Sequence, residues 1–384
     1  MLLINDTAKL TEFCNLLKKQ KYITVDSEFI REHSYYSKLC LLQVACDDEE
    51  AIIDPLSKVD LSPFFEILQD ENIVKVFHAG RQDIEIFYNL TGKTPRNVFD
   101  TQIAAMACGF TDSIGYGNLV QEILHINLDK SNRLTDWSIR PLDEAQLKYA
   151  ICDVTYLRDC YKYLNDYMQK NNRCDWVKDE TDSLCDEHCY QIDPEEAWHR
   201  IKHNVYTQRF LSALKYLAAW REVRAQKYNT PRSNILKDDA LVNIASIYPK
   251  SVDDLKKVRN LKPDVIKGRL GAEIIEVLKK AGKNPLPADI CKTDRKQSLH
   301  IANSEQSLME ILRLLLKIKS QEIGVIARLI ANDEDLHCII LNQPENTRAL
   351  QGWRYEMFGK YARQICEGLL TISYNPKKKS IEIK

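Results

Sequence analysis

Short apolar runs broken by charged turns open the chain. Tyr22 to Val25, Leu39 to Ala45 and Ala51 to Ile53 lie close together and predict neighbouring strands. A helical stretch near Pro63 to Leu68 is followed by Ile73 to Phe77, which predicts another strand. His78 to Asp83 then opens a helix whose apolar stripe is Ile84, Phe87, Tyr88 and Leu90, leaving Asp83 in the first turn on a different face. Val98 to Thr101 predicts a short strand end, with Asp100 capping a helix from Gln102 to Cys108. Gly115 to Leu124 predicts a further helix, and Leu128 to Leu142 a long polar loop carrying Lys130, Arg133, Trp137 and Arg140. The longest helix of this half comes next: Asp143 and Gln146 form a capping-box pattern. Its expected stripe is Leu147, Ala150 or Ile151, Val154, Leu157, Tyr161 and Leu164.

Residues 171–193 are polar and strongly acidic and predict a linker. Beyond it the pattern is helical throughout. Phe210, Leu211, Leu214, Leu217, Ala218 and Trp220 form one stripe, Leu241, Ile244 and Ala245 another, and a last helix holds Ile274 to Leu278 before Gly282 and Pro285. After a basic connector at Lys292 to Lys296, residues 301–374 carry another helical set that includes Leu312, Leu315, Ile326, Leu329, Trp353 and Phe358. The order of elements predicts an α/β domain followed by all-α domains.

One strand carries unusual chemistry. Side chains alternate along a strand, so Asp26 and Glu28, two positions apart in Val25-Asp26-Ser27-Glu28-Phe29, point to the same face. Two like charges there raise each other's pKa, a cost of about 1 kcal/mol or more unless a cation lies between them. A hard divalent metal suits such a site; two solvated acids at a strand end are the plainer alternative. Asp83 in the first turn of its helix is explained by the helix dipole alone, and Tyr149 with Asp153, one turn apart, would look the same on a solvated face. Taken together, Asp26, Glu28, Asp83 and Asp153 supply four acids from one strand and two helices. Two divalent ions about 4 Å apart, clamped by about four carboxylates, are what in-line hydrolysis of a phosphodiester requires. A phenol has a reference pKa of about 10, so Tyr149 is suited to orient the attacking water and not to take its proton.

Net charge is −1, but residues 1–200 hold 21 basic against 35 acidic side chains and residues 201–384 hold 33 against 20. The split predicts that the C-terminal half meets a polyanion, unless the two halves simply attract one another. The start lacks the charged and long apolar segments of a signal peptide, and no apolar run approaches membrane-spanning length, so a soluble, cytoplasmic protein is expected. Most of the 12 cysteines lie inside apolar periodic segments, as reduced thiols do. Cys185, His188 and Cys189 lack the second ligand pair that structural zinc needs.

The pattern VDSEF, then HAGRQDIEIF, FDTQIAA, LDKSNRLTDWSIRPL and YAICD closely resembles the DEDD-type 3′-to-5′ exonucleases and, within them, the ribonuclease D family. By this resemblance Asp26 and Glu28 match the first motif, Asp83 the second, and Tyr149 with Asp153 the third. The histidine branch would need His where Lys148 stands; the tyrosine branch needs Tyr149. LAAWREVRAQKYNTPRSNILKDDALVNIA resembles the HRDC domain, a small helical nucleic-acid-binding module, and residues 301–376 look like a diverged second copy. The resemblance implies a ribonuclease H-like exonuclease domain, a mixed sheet with flanking helices, over residues 1–170. An acidic linker at 171–195, an HRDC domain at 196–287, a linker at 288–300, a second HRDC-like domain at 301–376 and a basic tail at 377–384 would follow.

The implied activity is removal of nucleotides from RNA 3′ ends as nucleoside 5′-monophosphates, with two Mg²⁺ or Mn²⁺ ions. Its substrates would be tRNA precursors with single-stranded 3′ ends, handled by a monomer with no membrane contact. Expected substrate contacts are Phe29, Tyr35, Tyr36, His78, Lys130, Trp137 and Arg140, aromatic faces serving because they hold any base. Arg221, Arg224, Lys227, Arg232 and Lys237 are expected to hold the RNA body. A DNA exonuclease is the alternative within the same chemistry; a catalytically inactive RNA-binding scaffold would have lost an acid, and none is missing.

Overall fold

The structure is a computed structural model that describes residues 1–129, 135–259, 261, 263–287 and 303–384. Lys130, Arg133, the connector at Lys292 to Lys296 and the expected linker at 288–300 lie outside the described residues. The chain forms two compact units: Met1–Glu28, Cys40–Cys189 and Ile301–Lys384 make the first, Phe29–Leu39 and Tyr190–His300 the second.

In the first unit, six strands are ordered β1 (Leu2–Ile4), β4 (Glu50–Ile53), β3 (Lys38–Ala45), β2 (Tyr22–Ile30), β5 (Val74–Phe77) and β6 (Val98–Asp100). β2 runs parallel to β5 and β5 to β6, while β3 and β4 are antiparallel, so the sheet is mixed. Ile23, Val25, Leu42, Val44, Ile53 and Phe77 bury one apolar layer against α1 (Thr7–Leu17) and α2 (Ser62–Gln69), where Leu10, Phe64 and Ile67 are fully enclosed. The predicted capping box of α6 (Glu144–Lys170) is formed: Gln146 donates its backbone N–H to Asp143 Oδ1 at 2.7 Å, and Asp143 N–H returns to Gln146 Oε1 at 3.0 Å. Both Ala150 and Ile151 are buried, with Cys160 and Met168 added to the stripe, while Leu147 and Tyr161 are only half-buried.

The expected acidic linker is ordered structure over its first half. α7 (Lys178–Cys185) carries Asp179 and Glu180, both bound by the buried Arg354 guanidinium, with 2.9 Å to Asp179 Oδ2; Arg348 also reaches Glu180 at 2.7 Å. Trp176 stacks on Trp353 with centroids 4.5 Å apart and planes 6° from parallel. The helices after residue 303 therefore pack in one compact unit with the exonuclease helices. Met309, Leu312, Leu315, Leu329 and Phe358 share one apolar cluster with Ala104, Leu119, Leu164 and Met168. The expected basic tail is also corrected: β7 (Ile372–Asn375) and β8 (Ser380–Ile383) pair as an antiparallel hairpin with the lysines at its turn.

The second unit is built on α8 (Gln208–Lys227), which is buried nearly all round, as a helix at the centre of a bundle must be. α10 (Asp238–Ile247) and α12 (Arg269–Lys283) supply Leu241, Ile244, Ile274 and Leu278 to the same core. The segment Phe29–Leu39 groups with this unit through Tyr35, whose ring is buried in that core and whose hydroxyl bonds Glu222.

Candidate active site

Asp26, Glu28 and Asp153 each offer a carboxylate oxygen within 4.8 Å of the others. β2 delivers the first two by strand alternation, and α6 delivers the third. Two bonds fix α6 at this point. Thr24, two residues before Asp26, donates its hydroxyl to Val154 O at 2.8 Å, and Tyr116 donates to Cys152 O at 2.8 Å. The carbonyls on either side of Asp153 are thereby pinned to the body of the fold.

Asp83, on α3 (Arg81–Thr91), is buried and accepts a hydrogen bond from Ser27 Oγ, so it is not one of the closest three. Its approach depends on a tight β5–α3 turn: Ala79 has φ 54°, and a Cβ on Gly80 would lie 2.5 Å from Phe77 Cβ. Asp100 holds that turn by accepting from the N–H groups of Ala79 at 3.2 Å and Gly80 at 2.9 Å, while also capping α4 (Thr101–Ala107). Its predicted structural role is met and extended.

Burial is the largest influence on all four acids. It and the charge of Asp153 push Asp26 up to about 8; it and the charges of Asp26, Asp153 and Asp83 push Glu28 up to about 9; it alone pushes Asp153 up to about 7. Burial, then the charge of Asp26, holds Asp83 well above the usual carboxylate range. Among the described residues the charges acting on these four are other carboxylates, with no lysine or arginine to balance them. Such a cluster fits divalent cations, which oxygen donors bind and whose charge removes the repulsion. Because these acids are protonated more readily folded than unfolded, they favour the fold fully below about pH 4, and that contribution is lost as pH rises through about 7 to 9. Metal must displace those protons. The rise in melting temperature on adding Mg²⁺ is expected to be small at acid pH and to grow as pH passes from about 6 to about 9. A gain independent of pH in thermal melts would count against cation binding at these acids.

Tyr149 stands one turn before Asp153 on α6, half-buried, its ring centroid 6.0 Å from that of Trp137. Several expected substrate contacts are corrected. Trp137 is 2% exposed, so no base can stack on it; it packs beside Tyr149 instead. Arg140 is spent on Asp54, at 2.7 and 2.8 Å, and on the carbonyls of Cys40 and Trp137. Tyr35 is buried in the core of the other unit. Tyr36 belongs to the same unit and is exposed, and Phe29 is half-buried at the end of β2. His78 is held with Nδ1 2.9 Å from Thr101 Oγ1, and its Nε2 has no partner among the described residues.

Of the expected RNA-body contacts, Arg221 is 4% exposed and bound to Leu236 O and Asp238, Arg224 is paired with Glu273 at 2.7 Å, and Arg232 is paired with Glu222 at 2.6 Å. These three serve the helical core; Lys227 and Lys237 are exposed. Sequence reasoning missed Thr24, Ser27 and Tyr116. Thr24 and Ser27 lie beside Asp26 in the chain, but their partners Val154 and Asp83 are 130 and 56 residues away, so no local pattern signals them.

A mixed sheet with flanking helices, a carboxylate cluster at the end of its central strand and a tyrosine one helical turn before the last acid define a 3′-to-5′ exonuclease. Residues 1–169 match the 3′-5′ exonuclease family and residues 210–278 the HRDC domain family. Ribonuclease D of Sphingobium indicum is 44% identical over 97% of this chain and 96% of its own length, and that of Jannaschia sp. is 41% identical over 98% of each. The crystal structure of Escherichia coli RNase D, an exoribonuclease involved in structured RNA processing, superposes with a TM-score of 0.81 at 28% identity, covering 95% of this chain and 98% of that one. The catalytic core of RRP6 from Trypanosoma brucei shares the fold, with a TM-score of 0.57 at 22% identity over 74% of this chain and 80% of its own. The chain belongs to the ribonuclease D family, and it is a 3′-to-5′ exoribonuclease.

Proposed function

We propose that this enzyme trims tRNA precursors from single-stranded 3′ ends, releasing nucleoside 5′-monophosphates, and that it works as a cytoplasmic monomer with two Mg²⁺ or Mn²⁺ ions. The observation that carries the chemistry is the cluster of Asp26, Glu28 and Asp153 within 4.8 Å, with Asp83 electrostatically coupled to it through Asp26. These four acids would hold the cations. When bound, divalent cations there polarise the attacking water and stabilise the departing oxygen. The protein's own contribution is position: Thr24 and Tyr116 fix the turn of α6 that carries Asp153, Ser27 orients Asp83, and Tyr149 directs the water. His78, in the same unit as the four acids, is the candidate for holding the terminal nucleotide, and the helices after residue 303 are read as a second HRDC-like module packed on the exonuclease helices. Among the described residues no helix is long and apolar enough to cross a membrane.

The direct test is incubation with 3′-labelled single-stranded RNA and matched DNA, with and without EDTA. Stepwise mononucleotide release from RNA, abolished by EDTA, is expected. Equal rates on DNA would make this an exonuclease indifferent to the sugar, and resistance to EDTA would remove the metal from the reaction.

A further inference from the structure

A cavity of about 590 Å³ opens in the second unit, within the size range of small-molecule sites. Arg31, Arg200, Arg221, Arg232 and Lys237 line it, against three carboxylates. Two of the carboxylates are already committed. Glu222 accepts from both Arg232 Nε and Nη2 at 2.6 Å and from the Tyr35 hydroxyl, and Asp238 lies 2.7 Å from Arg221 Nη1. Of the three, Asp239 is left to face Arg200 and Lys237. Among the described residues neither the Arg200 guanidinium nor the Lys237 ammonium forms an ion pair, and both residues are exposed.

Two further features point to an anion. α10 begins at this wall: Lys237 is its N-cap residue and makes no side-chain capping bond, so the first-turn N–H groups and the positive end of a ten-residue helix face the cavity region. Arg221, 4% exposed, keeps its Nε–H buried without a hydrogen-bond partner, although its Nη1 is bound to Leu236 O at 2.8 Å. A buried donor on a charged group is seldom left unmade where an acceptor can reach it. Buried in the cavity wall, this guanidinium acts on the cavity through its charge.

We propose that this cavity binds a phosphate ester of mononucleotide size, its phosphate received by Arg200, Lys237 and the first turn of α10, with the charge of Arg221 behind them. Planar guanidinium forks and an uncapped helix start are the donors phosphate takes, and the volume leaves room for the group esterified to it. The enzyme's proposed product is of this class, which would make the helical unit a sensor of released nucleotide.

The test is calorimetric titration of the full chain in EDTA, which keeps phosphate from being held through divalent metal, using adenosine 5′-monophosphate, inorganic phosphate and adenosine in turn. Both phosphates are expected to bind and adenosine not to. The double variant Arg200→Ala/Lys237→Ala, whose side chains are exposed and unpaired and whose loss should leave the fold intact, is expected to weaken both phosphates by about ten-fold or more. Asp26→Asn, in the metal cluster, should leave this binding unchanged, which separates the cavity from the active site. The proposal is overturned if neither phosphate binds the wild-type chain, if the double variant binds as tightly as wild type, or if only long RNA binds and is sensitive to the double variant.

Discussion

Asp153→Asn is expected to slow mononucleotide release by about 10³-fold or more at saturating Mg²⁺, while raising the melting temperature of the metal-free protein. The two effects have one cause. Asp153 sits within 4.8 Å of Asp26 and Glu28, in a site where burial already disfavours charge, and its own charge raises both neighbours. Removing that charge relieves the apo fold of a repulsion and deprives bound cations of a ligand. A loss of 10³ corresponds to about 4 kcal/mol of transition-state stabilisation, within the range for a group that acts directly on developing charge. Asn is nearly isosteric, and α6 is held independently by the Thr24 and Tyr116 bonds, so circular dichroism should match wild type. Near wild-type turnover would remove Asp153 from the metal site. A fall in apo melting temperature would mean that the carboxylate is compensated in a way the cluster does not show. Asp26→Asn, Glu28→Gln and Asp83→Asn should share the loss of rate. For Asp83 the bond from Ser27 is weakened as well, so its gain in stability should be smaller.

Tyr149→Phe is expected to cost about 10² in kcat with little change in the Mg²⁺ concentration needed for half-maximal rate, because the phenol is assigned to the water and not to an ion. The ring should stay in place without its hydroxyl, since Trp137, buried beside it, supplies apolar contact that Phe can still make. Recovery of full rate at high metal would show that the hydroxyl supports the metal site instead. Trp137→Ala separates the two roles of the ring pair: with Tyr149 intact but unsupported, turnover should fall along with melting temperature, whereas Tyr149→Phe should leave the melting temperature nearly unchanged.

Local pattern was enough for the parts of this protein that one segment determines. The facing of Asp26 and Glu28 follows from the two-residue period of a strand, and the start of α6 from a capping box spanning Asp143 to Gln146; both are relations over three residues or fewer. The order of motifs sufficed to bring Asp83, Tyr149 and Asp153 into the same reading. What only the tertiary structure decided depends on partners distant in the chain. Arg140 in a polar loop looks the same whether it faces solvent or, as here, Asp54, 86 residues earlier. Trp137 is no different: a tryptophan among cations suits either RNA or a core, and the enclosing residues chose the core. Off-stripe position on a helix implies exposure only when the helix has an outside. α8 is enclosed nearly all round, so Arg221 and Glu222 became buried ion-pair members and Arg221 a lining of the cavity. The helices after residue 303 declare by their periodicity that they bury an apolar face. That the face lies against Ala104, Leu119 and Leu164 is set by surface complementarity between segments more than 130 residues apart, which hydrophobic periodicity does not encode.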